Sequence, residues 1–193
     1  MKNSTLKKNL ENSIQLKQIL LADESLMSMV EKISEIMVSC FQKNGKVLFC
    51  GNGGSAADAQ HLAAEFSGRF YFDREPLFAE ALHVNTSYLT AVANDYSYNE
   101  IYSRLVKAKA RKGDILIGIS TSGNSENIIR AFQQAKIQGA ITIAMTGETG
   151  GKMKEEVDYL LNMPSTDTPR IQESHIMVGH IICELVEKNM FAD

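Results

Sequence analysis

Val47-Leu48-Phe49-Cys50-Gly51-Asn52-Gly53-Gly54-Ser55-Ala56-Ala57-Asp58-Ala59-Gln60-His61-Leu62-Ala63-Ala64-Glu65 is the stretch that decides the fold. Four apolar residues make a strand-length run, glycines at 51, 53 and 54 break it, and an alanine-rich stretch that favours helix follows. The predicted order is strand, glycine turn, helix. Glycine lets the backbone turn sharply and come close to a ligand, and the first amides of a new helix point at any anion placed there. Ser55 and Asp58 stand at capping-box spacing for the start of that helix. One turn further in, His61 and Glu65 are spaced i, i+4 and share a face. An imidazole and a carboxylate beside an anion-binding turn point to chemistry on a phosphorylated molecule. Asn52, Gly53, Gly54 and Ser55 are its first binding groups.

Working outward, compact apolar runs recur at 47–50, 115–119, 141–145 and 159–163, with a weaker fifth at 79–84. Helical stretches lie between most of them, at 55–66, 86–94 with 97–111, 125–138 and 151–157, and a long helix closes the chain over 168–191. Strands alternating with helices predict a parallel sheet covered on both faces. The expected fold is a three-layer α/β/α domain with a five-stranded parallel sheet, flavodoxin-like, preceded by two helices. Leu26, Met29, Val30, Ile33, Ile36, Met37, Cys40 and Phe41 give the second of these helices an apolar face. The first runs over about 6–21, and Asp23 is placed to cap the second. Those apolar faces pack either on the chain's own sheet or on another subunit. The second reading is preferred, because crossover helices already cover a sheet of this size. The chain is thus read as a single domain, 1–193, with an oligomerisation segment over 1–44 and an α/β core over 45–193.

A chain of 193 residues is long enough for a sizeable core. The net charge of −3, with no basic run, excludes nucleic acid and the membrane surface as partners. No apolar stretch approaches the roughly 20 residues that span a bilayer, and no apolar run follows the N-terminal lysines as a secretory signal requires. Cys40, Cys50 and Cys183 are odd in number and set in apolar surroundings, which reads as buried thiols in a reducing cytoplasm rather than a disulfide or a cysteine metal site.

A second loop follows the strand at 115–119. In Ser120-Thr121-Ser122-Gly123-Asn124-Ser125 four hydroxyls and a glycine precede a helix that Ser125 is suited to cap. Hydroxyls and helix-start amides bind phosphate oxygens without any lysine. One serine-rich turn is weak evidence, because Ser and Gly fill ordinary loops. Two such loops at the carboxyl ends of buried strands are stronger, since open α/β sheets bind ligands along that edge. Ser55, Ser120, Thr121, Ser122 and Ser125 are therefore the phosphate-binding candidates.

With Cys50-Gly51-Asn52-Gly53-Gly54-Ser55, this serine loop resembles the sugar isomerase (SIS) domain family, and within it the phosphoheptose isomerases. The likeness extends to His61, Glu65, Gly68-Arg69, Ala93-Asn94-Asp95, Thr146-Gly147 and Arg170-Ile171-Gln172-Glu173-Ser174-His175. It implies isomerisation of sedoheptulose 7-phosphate to D-glycero-D-manno-heptose 7-phosphate, supplying heptose for lipopolysaccharide or capsule. It also implies a cytoplasmic homotetramer with active sites between subunits. The residues matching His61, Glu65, Gln172 and His180 would hold zinc, and those matching Glu65 and His180 would be the proton-transfer pair. Gln172, Asn94 and Asp95 would contact substrate.

Other readings remain open from the residues themselves. His180 lies in an apolar helix where packing is the ordinary role, and His83 and His175 are structural by default. Asn94-Asp95 also suits a turn. Arg69 either meets substrate or a neighbouring chain, or forms a surface ion pair. The glycine-rich segment 147–151 reads as a mobile turn. Gln172 and His180 are eight residues apart, about 12 Å along one regular helix, so both reach one ion only through long side chains, a helix break or a second subunit. The competing function is a non-catalytic SIS protein that binds the replication initiator; Glu65 favours the enzyme.

Overall fold

The computed structural model describes residues 2–192, so Met1 and Asp193 of the single-domain reading lie outside the described residues. Helices α1 (Lys2–Ala22) and α2 (Glu24–Gln42) come first. Asp23 separates them and caps α2, its carboxylate accepting the Leu26 amide at 3.0 Å. Then follow β1 (Val47–Gly51), α3 (Gly54–Ser67), β2 (Ala79–Ala81), α4 (Thr86–Asp95) and α5 (Ile101–Lys109). The chain continues through β3 (Ile115–Ser120), α6 (Glu126–Gln138), β4 (Ile141–Thr146), β5 (Tyr159–Asn162) and α7 (Thr168–Phe191). Short 3-10 helices cover Tyr98–Glu100 and Gly151–Glu156, where sequence predicts ordinary helix. The expected strand at 79–84 keeps only three residues: it pairs with β1 as far as Phe49 and then leaves the sheet, while β1 runs on beside β3 to Gly51.

The sheet is five-stranded and parallel, in the order β2-β1-β3-β4-β5. Alternation along the strands sorts two cores. Val47, Phe49, Ile115, Ile117, Ile143 and Met145 face α2, α3 and α7. Leu48, Cys50, Leu116 and Ala144 face α4, α5 and α6. The connection from β1 leaves toward β2 while that from β3 leaves toward β4, so strand order reverses between β1 and β3. That reversal opens a crevice at the carboxyl ends of β1 and β3, where ligands bind in such sheets.

The N-terminal helices divide their roles. Val30, Ile33, Met37 and Phe41 of α2 are buried in the same core as Phe49 and Val178, so α2 covers its own sheet. This corrects the preference for a subunit interface as far as α2 is concerned. The sheet needs that cover because β5 and the α7 face beside it are left open by the crossover helices. Helix α1 commits Leu16 and Leu20 to that core and leaves Leu6, Leu10, Ile14 and Leu21 exposed. The three cysteines are free and buried, and burial pushes the Cys40 thiol up to about 11.

His175 is wholly buried on α7 and its Nε2–H donates to the Thr146 carbonyl at 3.0 Å, tying α7 to the end of β4. Burial lowers its pKa to about 4, the Thr146 bond working weakly the other way. An unfolded imidazole takes up its proton near 6.5, so between those values the unfolded chain binds more protons than the folded one. Stability should therefore fall by about 3 kcal/mol as pH drops from about 6.5 to about 4. Urea melts across that range are expected to show this slope and a flatter one for His175→Gln.

Candidate active site

Helices α3 and α7 run side by side, and small residues set how closely. A Cβ on Gly179 would lie 2.6 Å from Leu62 Cδ2, so glycine lets α7 seat directly on α3. The residues flanking that contact are His61 and His180. Their Nε2 atoms are 2.9 Å apart, and His61 Nε2 lies 3.1 Å from Glu65 Oε1. Among the described residues, His61, Glu65 and His180 form the group whose ligand atoms all lie within 4.8 Å of one another. Two imidazole nitrogens and a carboxylate oxygen are a donor set that suits a catalytic zinc ion with an open fourth position. Ligand atoms about 2.0–2.1 Å from a tetrahedral ion stand about 3.3 Å apart, so the two short separations fit one shared ion. The Phe70 ring stacks on His180, with centroids 5.6 Å apart and planes at 30°. Asp58, one turn before His61, has a buried Oδ2 without a hydrogen-bond partner among the described residues; burial raises its pKa and the nearby His61 opposes this.

Gln172 is placed elsewhere. A Cβ on Gly54 would meet its Nε2 at 2.6 Å, so the amide rests on the glycine turn at the start of α3. Helix α7 is unbroken from Thr168 to Phe191. Gln172 thus stands about two helical turns from His180, and one chain brings together only three of the four expected ligands.

The two loops expected to bind phosphate lie at the crevice between β1 and β3. Ser120 Oγ is 2.9 Å from Ser125 Oγ and 3.5 Å from Ser122 Oγ, so three hydroxyls converge ahead of α6. Thr121 is half-buried beside them. Two details differ from the sequence expectation. Gly53, with φ of 56°, is the residue ahead of α3, so Ser55 lies inside the helix and makes no capping box with Asp58. Ser125 does precede α6, but its hydroxyl meets Ser120 instead of capping. Of the two serines only Ser125 therefore stands at a capping position, and its hydroxyl is turned to Ser120.

Several supports of these loops have no local signature. The Asn52 and Asn127 side chains exchange two hydrogen bonds, at 3.0 and 2.9 Å, and Tyr98 Oη donates to Asn52 Oδ1 at 2.9 Å. The Tyr102 hydroxyl donates to the Gly51 carbonyl. The turn after β1 is thereby pinned to the start of α6. The segment 147–151 is a backstop for the serine loop and not a free turn. Gly147 N donates to Thr121 O at 3.0 Å, Met153 N to Gly123 O at 2.9 Å, and Lys152 N to Asn124 Oδ1 at 3.0 Å.

The remaining candidates stand apart. Asn94 and Asp95 are exposed in the last turn of α4 and bonded to each other at 3.0 Å. Arg69 is exposed and makes no ion pair among the described residues, so the surface-pair reading fails. The buried pair beside it, unexpected from sequence, is Arg74 with Glu187 at 2.8 Å. The spacing of Glu187 from His180 and Cys183, seven and four residues, already put a carboxylate on the inward face of α7.

A glycine turn and serine loop at a topological switch point, with an imidazole–carboxylate cluster on the adjoining helix, define a sugar-phosphate-handling α/β domain. The family model of the SIS domain matches residues 14–147. The phosphoheptose isomerase of Aneurinibacillus thermoaerophilus is 51% identical over 189 residues, covering 98% of this chain and 96% of that one. That of Clostridium acetobutylicum is 51% identical over 193 residues, covering 100% and 98%. The structure of a phosphoheptose isomerase from Neisseria gonorrhoeae superposes with a TM-score of 0.92 at 41% identity, covering 97% of this chain and all of that one. One from Francisella tularensis gives 0.93 at 34% identity, covering 97% and 99%. The chain therefore belongs to the phosphoheptose isomerase family of SIS-domain proteins. It is an isomerase. No helix among the described residues is long and apolar enough to cross a membrane.

Proposed function

We propose that this chain interconverts sedoheptulose 7-phosphate and D-glycero-D-manno-heptose 7-phosphate through an enediolate, at the head of heptose supply for lipopolysaccharide or capsule. The observation that carries the reading is the His61–Glu65–His180 cluster, in which α7 brings His180 against the helix that starts at the glycine turn. Ser120, Ser122 and Ser125 hold the phosphate with Thr121 and the amides at the head of α6, while Asn52, Gly53, Gly54 and Ser55 frame its other side. Gln172, at the glycine turn, orients the sugar chain, and Asn94 and Asp95 meet its hydroxyls. The C1 hydrogens of the ketose are acidified by the neighbouring carbonyl, and the Glu65 carboxylate removes one. The same carboxyl returns a proton to C2, while His180 moves the hydroxyl proton from O1 to O2.

His61, Glu65 and His180 are the ligands we assign to zinc within one chain, and Gln172 would join them only from a neighbouring subunit. The chemistry such an ion supplies is polarisation of the substrate carbonyl and stabilisation of the enediolate charge. Ligation and proton transfer compete at Glu65 and at His180, so we place each duty on a different atom: the two carboxylate oxygens of Glu65, and Nε2 and Nδ1 of His180. Assay of the purified protein with sedoheptulose 7-phosphate tests the reaction. Chelation is expected to lower turnover on the order of 10²-fold, restored by added zinc. Metal-free protein, checked by elemental analysis, that runs at the full rate would leave Glu65 and His180 as a metal-free pair.

The homotetramer reading is supported by how open the cluster is. The His61 side chain is 51% exposed, and Ile181 beside His180 is exposed as well. Proton transfer from carbon needs water kept away, and a neighbouring chain drawn in by the bare apolar face of α1 would provide that cover. A monomer in sedimentation at micromolar concentration would overturn this.

A further inference from the structure

The Arg74 and Glu187 side chains are both 2% exposed, joined Nε to Oε1 at 2.8 Å. A buried ion pair is weak evidence of stability, because desolvation offsets most of the attraction, so its partners beyond the pair are the informative part. Helix α3 ends at Ser67, and its last carbonyls have no partner within the helix. Arg74 supplies them: Nη2 donates to Glu65 O at 2.9 Å and Nη1 to Phe66 O at 3.0 Å. A cation at that end also suits the helix dipole. Glu187 in turn accepts three successive amides, Phe70 at 3.1 Å, Tyr71 at 2.6 Å and Phe72 at 3.0 Å. Burial works against the carboxylate, but the amides of Phe72, Phe70 and Tyr71 and the guanidinium outweigh it and hold its pKa below the usual carboxylate range.

The pair therefore has three attachments, and each leads to the reacting groups. One is the peptide unit of Glu65 itself. Another is α7, with Glu187 two turns beyond His180. The third is Phe70, whose ring stacks on the His180 imidazole.

We infer that Arg74 and Glu187 are positioning residues that set the Glu65–His180 geometry for proton transfer, without touching the substrate. Lysine at 74 keeps the charge but lacks the planar fork that reaches Glu187 and two carbonyls together. A misplacement on the order of 1 Å costs about 10²-fold in rate. The inference rests on the isomerase reading, with Glu65 and His180 as the proton-transfer pair.

The test compares wild type, Arg74→Lys and Phe70→Leu as full chains, at a temperature where circular dichroism shows each folded. Arg74→Lys is expected to lose about 10–100-fold in kcat with KM within about threefold of wild type, since the phosphate loops lie at the other end of α3. Phe70→Leu leaves the buried pair intact and should lose about fivefold or more in kcat, again with little change in KM. Folded Arg74→Lys with the wild-type kcat, or with its whole loss in KM, would overturn the inference. If Arg74→Lys does not fold, Phe70→Leu decides: a kcat loss supports positioning through Glu187 and Phe70, and a wild-type kcat overturns it. Wild-type protein inactive on sedoheptulose 7-phosphate would instead remove the isomerase reading beneath it.

Discussion

Glu65→Gln is expected to lower kcat on the order of 10²–10⁴-fold while the sugar phosphate still binds. The amide keeps the size and one acceptor oxygen of the carboxylate but has no basicity with which to take a proton from carbon. The backbone of Glu65 is held by Arg74 through its carbonyl, and its Oε1 lies 3.1 Å from His61 Nε2, a contact the isosteric amide can keep. The substitution therefore removes a function more than a contact. The Ser120–Ser125 loop lies at the opposite end of α3 and should keep its affinity for phosphate. The measurement is kcat and KM with sedoheptulose 7-phosphate, together with exchange of the C1 hydrogen into solvent deuterium. Retained turnover, or retained exchange, in the folded variant would refute the assignment of Glu65. Weakened zinc binding with unchanged exchange would leave this carboxylate the ligand duty proposed for it and remove the duty as a base.

How much of this was legible beforehand follows from the range of each interaction. The alternation of Val47 and Phe49 against Leu48 and Cys50 is a local pattern, and it specified a strand buried on both faces. The glycine turn, the serine loop and the i, i+4 pair of His61 and Glu65 are local in the same sense. Pairings across the chain are not. Asn52 and Asn127 are 75 positions apart, and Arg74 and Glu187 are 113. Each looks ordinary in its own surroundings, an Asn in a turn or an Arg in a loop, until the fold brings its partner. His180 became readable only with a family resemblance, because nothing around it differs from a packed helix.

The errors at the loops have a common physical origin. Ser55 and Ser125 were expected to cap because their residue type favours it. Yet Gly53 takes a backbone conformation that starts α3 already at Gly54, ahead of Ser55, and Ser125 gives its hydroxyl to Ser120. Here the glycine conformation and the serine cluster decide the helix starts, and capping propensity is overruled. The division between α1 and α2 is of a different kind. Both helices have apolar residues at helical spacing, and which face the chain itself covers depends on how far α2 and α7 shield the sheet.

Gly123→Ala is the second large effect expected, and it tests the phosphate site separately from the chemistry. Gly123 has φ of 64°, and a Cβ there would lie 2.2 Å from the Gly150 carbonyl oxygen and 2.5 Å from its carbon. Those neighbours are backbone and have no rotamer to change. The serine loop must move off the 147–151 segment, giving up the bond from Met153 N to Gly123 O. Ser120, Ser122 and Ser125 then no longer converge. Two lost hydrogen bonds to a charged phosphate, at about 1.5–3 kcal/mol each, amount to about 10²–10⁴-fold in kcat/KM, and this loss should appear mainly in KM. Gly53→Ala, in the other loop framing the phosphate, is the comparison without a clash. With φ of 56° and ψ of −123° its backbone also suits only glycine, but nothing lies within 4 Å of the added Cβ, so about 1–3 kcal/mol of backbone strain is expected. If the clash at Gly123 is what matters, Gly123→Ala raises KM steeply and Gly53→Ala costs far less. Equal KM values for the two variants would show that backbone conformation, and not the packing of one loop on the other, holds the phosphate site.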